Sequence, residues 1–194
     1  MSVFRVEIQP GGIAHLVMDD PARKLNVLDG AAIASLEQVL TEIESRSDLA
    51  GVILRSGKPG SFIAGADVNA IGAITDPELA RTLVRRGHTV FSRLAALRVP
   101  TVAAIDGVCL GGGLEISLAC DSRVGAEEKT QIGLPEVLLG IIPGFGGSTR
   151  LPRLIGLSSA LAANRFAARG KAAKSSPSIT STRPIATMNW AIFA

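Results

Sequence analysis

The chain opens with two short apolar stretches, FRVEIQ and IAHLVMD, separated by Pro10, Gly11 and Gly12. Apolar runs broken by such a turn predict a β-hairpin at the start of the fold. The period then changes. Ile33, Leu36, Val39, Leu40 and Ile43 recur at the three- and four-residue spacing of one helix face, which predicts a helix over Leu28 to Ile43 with Asp29 placed to cap it. GVILRS reads as a buried strand, a loop rich in Gly and Pro follows, and helical spacing returns around Asp67 to Ile71 and from Pro77 to Leu97. The unit recurs with PTVAAIDG as strand, VCLGGG as loop and LEISLAC as helical segment. DSRVGAEEKTQIG reads as further short strands, and FGGSTRLPRLIG as a loop entering a helix. Strands alternating with helices through short links predict an α/β domain built on mostly parallel strands.

Composition narrows the class. With 194 residues, 47% of them hydrophobic and 19% charged, the chain can bury one good core, and disorder throughout is excluded. Its longest uncharged run, Val137 to Thr149, contains four glycines and a proline and falls short of the ~20 apolar residues of a membrane span. Arg5 and Glu7 interrupt the opening before a signal-type apolar region can form, so a cytoplasmic protein with no membrane association is expected, its Cys109 and Cys120 reduced. With only His15 and His88 beside those thiols, no zinc quartet is expected. The net charge of +3 describes a tail, because all 17 acids lie at or before Glu136 and everything beyond is purely basic. Nucleic acid is therefore not an expected partner; the tail does not interleave aromatic residues with its charges, as base stacking beside a phosphate backbone would use.

Two strand-to-helix turns carry small residues at their tips, SFIAGADV and GVCLGGGLE. Small residues let a ligand approach the main chain, and a helix N-terminus offers unpaired amides to an anion or a developing oxyanion. A glycine-rich turn is also often mere tight packing, and neither turn has the spacing of a P-loop or a dinucleotide fingerprint. Glu115 follows the second turn among Leu114, Ile116, Leu118 and Ala119, where burial would raise its pKa; a plainer role is as a helix-capping carboxylate. Glu136 is likewise a lone acid in an apolar run, its backbone pinned by Pro135. Two such carboxylates beside two amide-bearing turns have the character of an acid/base site for chemistry next to a carbonyl.

FIAGADVNAI, GVCLGGGLEISLACD and QIGLPEVLLGIIPGFGGSTRLPRLIG occur in an order and spacing that resembles the enoyl-CoA hydratase (crotonase) family. The last block is most similar to the amino-terminal hydratase/isomerase domain of multifunctional fatty-acid oxidation α-subunits, although the sequence contains no dehydrogenase half. The resemblance implies a crotonase-like spiral of repeated ββα units over about residues 1–163, and a 2-enoyl-CoA hydratase of fatty-acid β-oxidation. It implies an oxyanion hole formed by the amides of Ala64 and Gly112, with Glu115 as base on water and Glu136 as acid to the α-carbon. Gly144 matches the amide that helps position the water. Ala22, Arg23, Lys24 and Leu25 match the strip lining the coenzyme A site, and Asp67 and Val68 flank its adenine and pantetheine path; for Arg23 and Lys24 a solvated loop charge competes with phosphate contact. No cofactor or metal is implied, coenzyme A being part of the acyl-CoA substrate, and family members are trimers or hexamers. A Δ3-Δ2-enoyl-CoA isomerase and an inactive acyl-CoA-binding fragment are the alternatives.

The carboxyl end departs from the pattern. Residues 164–194 have no acid, clustered Ser, Thr and Pro, and no sustained helical period. They read as a basic, disordered tail in place of the family's closing helices, which predicts a truncated domain with exposed apolar surface and weakened activity.

Overall fold

Pro10, Gly11 and Gly12 turn the chain as their residue types require. In the computed structural model, which describes residues 2–125 and 130–167, β1 (Phe4–Gln9) and β2 (Ile13–Met18) pair antiparallel with Phe4 opposite Met18. α1 (Gly30–Ser45) follows, and Asp29 caps it by accepting from the Ala32 amide at 2.8 Å. Leu28, expected inside that helix, lies before it in a parallel bridge with Ala66.

Each later repeat divides its two strands between two sheets. β3 (Gly51–Ser56), β5 (Thr101–Ile105) and β7 (Ser122–Gly125) add in parallel beyond β2, giving a five-stranded sheet in the order β1-β2-β3-β5-β7. β4 (Ser61–Ile63), β6 (Val108–Leu110) and β8 (Gln131–Gly133) form a second, all-parallel sheet of three. α2 (Val68–Gly72) and α3 (Pro77–Ala95) follow β4, and α4 (Gly112–Ala119) follows β6. A 3-10 turn (Pro135–Leu139), α5 (Gly147–Ile155) and α6 (Leu157–Ala167) follow β8. SFI and VCL, read as loop from the sequence, are therefore strands. Three residues are too few to show a period of two, and their pairing comes entirely from neighbours distant in sequence.

The core explains the helix faces. Leu36 and Leu40 of α1 and Phe91 and Leu94 of α3 are fully buried in one cluster with Phe4, Leu16 and Leu54 of the large sheet. On their outer sides the two helices are bridged by Arg86–Glu37 and Arg93–Glu44 ion pairs, each at 2.7 Å. α4 is buried at all eight positions, which is why LEISLA shows no polar face. Asn26, fully buried, joins the two sheets: its Nδ2 donates to the Met18 carbonyl and Ser56 Oγ of the large sheet and, at 3.4 Å, to the Phe62 carbonyl of the small one, and its Oδ1 accepts from the Asp20 amide. α6 runs to Ala167, past the boundary expected at Ala163, and buries Ala160 and Ala163; the rest of the 164–194 segment lies outside the described residues.

Candidate active site

The turn from β4 into α2 and the turn from β6 into α4 meet face to face. A Cβ on Gly112 would lie 3.9 Å from the Ala66 nitrogen, and one on Gly111 3.7 Å from the Gly65 Cα. Gly112 begins α4 and the first intrahelical amide bond is Glu115 N–H to the Gly111 carbonyl, so the Gly112 amide is a helix-end donor with no partner among the described residues. The Ala64 amide is not free. It donates to the Asn26 carbonyl at 2.8 Å, which corrects the expectation that Ala64 supplies the second oxyanion donor. The bridge with Leu28 gives the reason. Leu28 N–H donates to the Gly65 carbonyl and Asp67 N–H donates to the Leu28 carbonyl, so the Ala66 amide between them points the other way and makes no hydrogen bond among the described residues. Ala66, two residues on in the same turn, is the amide that faces Gly112; sequence reasoning missed it because the alternation of a single parallel bridge is invisible without its partner.

Glu115 does not cap its own helix. Its Oε1 accepts from Phe145 N–H and Gly147 N–H, both at 2.8 Å, from the turn that enters α5. Glu115 is only 2% exposed, and burial holds its pKa above the usual carboxylate range although the two amides and Arg150 offset part of the rise. Glu136 sits on the 3-10 turn with its Oε1 3.0 Å from where a Gly111 Cβ would be, and its Oε2 is buried without a hydrogen-bond partner among the described residues. Burial, with the charge of Glu115 as a smaller contribution, pushes Glu136 up to about 7. The two carboxylates are thus close enough for the charge of Glu115 to act on Glu136, with unequal hydrogen-bond support, and burial raises the pKa of both. The Gly144 amide lies in the same loop and makes no hydrogen bond among the described residues.

The expected substrate strip divides. Arg23 pairs with Asp67 at 2.9 Å, Asp29 at 3.0 Å and Asp20 at 3.3 Å, so its charge ties the loop before α1 to the N-terminus of α2. Asp67 also accepts from the Asn69 and Ala70 amides and caps α2. Lys24 has no ion pair among the described residues, while Leu25 and Val68 expose apolar side chains on the rim. Ala22 donates its amide to Asp20 Oδ1 and so holds the loop's shape. Among the described residues no three His, Cys, Asp or Glu side chains are placed to hold a metal, and no helix is long and apolar enough to cross a membrane.

A family profile for enoyl-CoA hydratase/isomerase matches residues 8–176. The chain belongs to the enoyl-CoA hydratase/isomerase family. The fatty acid oxidation complex subunit alpha of Shewanella frigidimarina is 46% identical over 159 residues, covering 81% of this chain and 22% of that protein. Its counterpart in Shewanella amazonensis is 48% identical over the same coverage. The chain thus spans about a fifth of the length of the curated relatives it matches. Among solved structures, the enoyl-CoA hydratase of Bacillus anthracis superposes with a TM-score of 0.77 at 36% identity, over 84% of this chain and 62% of that one. The enoyl-CoA hydratase of Thermoplasma volcanium superposes at 0.78 with 28% identity, over 86% of this chain and 65% of that one. The spiral of ββα units is accordingly the fold of this family.

Proposed function

We propose that the chain carries a 2-enoyl-CoA hydratase centre that adds water across the double bond of a trans-2-enoyl-CoA in fatty-acid β-oxidation. The observation that carries this reading is the pair of buried glutamates with unequal support, placed beside two free amides. The thioester oxygen lies between the Ala66 and Gly112 amides, which stabilise the negative charge it gains as the enolate forms; losing one such donor typically costs about 3 kcal/mol of barrier. Glu115, held toward its ionised form by two amides and Arg150, takes a proton from water as the hydroxyl bonds to the β-carbon. Glu136, with a pKa near neutrality, gives its proton to the α-carbon. Both partners act from one side of the double bond, and passage of the proton from Glu115 back to Glu136 resets the pair. The Gly144 amide helps to hold the water.

Lys24, which has no ion pair among the described residues, meets the coenzyme A phosphates. Arg23 instead shapes the site wall with Asp67, and Leu25 and Val68 line the pantetheine path. The names of the matched relatives support the placement in fatty-acid oxidation, and exposed Leu138, Ile142, Leu157 and Leu161 support self-assembly. Glu115→Gln and Glu136→Gln should each lower crotonyl-CoA hydration by at least about a hundredfold while binding of the saturated butyryl-CoA changes by less than about threefold. Retained turnover in both variants defeats the reading. An isomerase would show proton transfer on a 3-enoyl-CoA that depends on Glu136 and is nearly indifferent to Glu115→Gln.

A further inference from the structure

Arg150 stands at the fourth position of α5, where a cation opposes the positive end of the helix dipole, and no carboxylate lies within ion-pair distance of it among the described residues. Its guanidinium folds back across Gly146 and donates from Nη1 to the Phe145 carbonyl at 2.9 Å. The fit over Gly146 is close. A Cβ there would come within 2.3 Å of that nitrogen, and the left-handed backbone, φ 106°, suits glycine. The carbonyl so held lies between the two amides that donate to Glu115 Oε1, those of Phe145 and Gly147. The same turn is anchored on its other side by the Phe145 ring, which rests on Gly87 and meets Phe91 edge-on with centroids 5.3 Å apart.

We propose that Arg150 is a positioning residue for the reaction: by holding the Phe145 carbonyl it fixes the two amides that aim Glu115 at the space it shares with Glu136. This rests on the reading of Glu115 as the base. Loss of the guanidinium frees the Phe145–Gly146 peptide to tilt, and a carboxylate displaced by a fraction of an ångström costs rate without costing substrate affinity. Loss of its charge also acts on Glu115 directly. The charged groups facing Glu115 among the described residues are Arg150 from α5 and Glu136 from the 3-10 turn, while His88 of α3 borders Gly146.

The test uses the full chain, crotonyl-CoA, and the variants Arg150→Met, Arg150→Gln and Arg150→Lys, with Glu115→Gln as reference. Arg150→Met is expected to lower kcat by about tenfold to a hundredfold with KM and butyryl-CoA binding within about threefold. The acid limb of kcat/KM should move to higher pH in Arg150→Met and Arg150→Gln, and stay in place in Arg150→Lys, which keeps the charge. Carboxyl 13C NMR of Glu115 should show the same displacement, so the test does not depend on turnover and survives an insoluble methionine variant. Unmoved kcat, acid limb and Glu115 titration in the Gln variant overturn the proposal, as does a fall in kcat that merely follows loss of binding and Tm. If Glu115→Gln itself retains full turnover, the base assignment falls; if it is inactive and the Arg150 variants behave as wild type, only the role of Arg150 falls.

Discussion

Glu136 carries a testable link between the site and stability. Its pKa is raised from 4.5 to about 7 by burial, so between those values the folded chain keeps a proton that the unfolded chain releases. Stability therefore falls as pH rises through that window and stays lower above it. Glu136→Gln removes the penalty: its Tm should exceed that of the wild type by a few degrees at pH 8, with the gain vanishing near pH 4.5. Calorimetry at the two pH values checks this, and an equal gain at both would show that the carboxyl is not held neutral. The neighbouring glycines separate chemistry from folding in a similar way. A Cβ at Gly112 meets the flexible tip of Leu28 at 3.0 Å and otherwise makes ordinary contacts, 3.8 Å to the Phe145 ring and 3.9 Å to the Ala66 nitrogen, so Gly112→Val should keep its circular dichroism while its side chain bars the thioester from the amide. A Cβ at Gly113 would sit 2.2 Å from the Ile63 carbonyl, so Gly113→Ala should fail to fold at 37 °C or melt far below wild type.

At the scale of elements, α3 reaches the site through one missing side chain. A Cβ at Gly87 would fall 2.3 Å from the Phe145 ring, so Gly87→Ala pushes that ring and with it the amide bound to Glu115. Alanine is the better helix former by about 1 kcal/mol, yet the variant should lose both hydration rate and Tm; a gain in Tm with unchanged rate would show that the ring moves aside freely. Asn26 joins the elements on the opposite side of the site. Removing its amide leaves the Asp20 amide without its partner, while the Met18 carbonyl keeps the Gly57 amide, so Asn26→Ala should cost about 2 kcal/mol in urea unfolding. A loss under about 1 kcal/mol would mean that water replaces it.

For the whole molecule, the four most exposed large apolar side chains among the described residues follow the last strand of the small sheet. Leu138 and Ile142 are 59% and 75% exposed beside the site loop, and Leu157 and Leu161 of α6 are 65% and 55% exposed. Water contact over that much aliphatic surface is unfavourable, and a second copy is the partner that the family resemblance implies. Sedimentation of the full chain should give a trimer or hexamer, and Leu157→Glu with Leu161→Glu should shift it toward 20.0 kDa. A monodisperse wild-type monomer would reject this assembly.

Local pattern was enough to place the opening hairpin, α1 with its Asp29 cap, the parallel β3 and β5, and α3, since each is long enough to display its own period or carries its own punctuation. The same pattern marked Glu115 and Glu136 as acids out of place among apolar neighbours, and Gly112 as a backbone site, because charge in a hydrophobic run is visible in one dimension. The tertiary structure decided what depends on partners distant in the chain. It paired three-residue strands into a second sheet, gave the buried amide of Asn26 its three elements to join, and set Arg23 among three aspartates. It also spent the Ala64 amide on the Asn26 carbonyl and left that of Ala66 without a partner among the described residues, because which N–H of a turn is spent follows from the strand beside it.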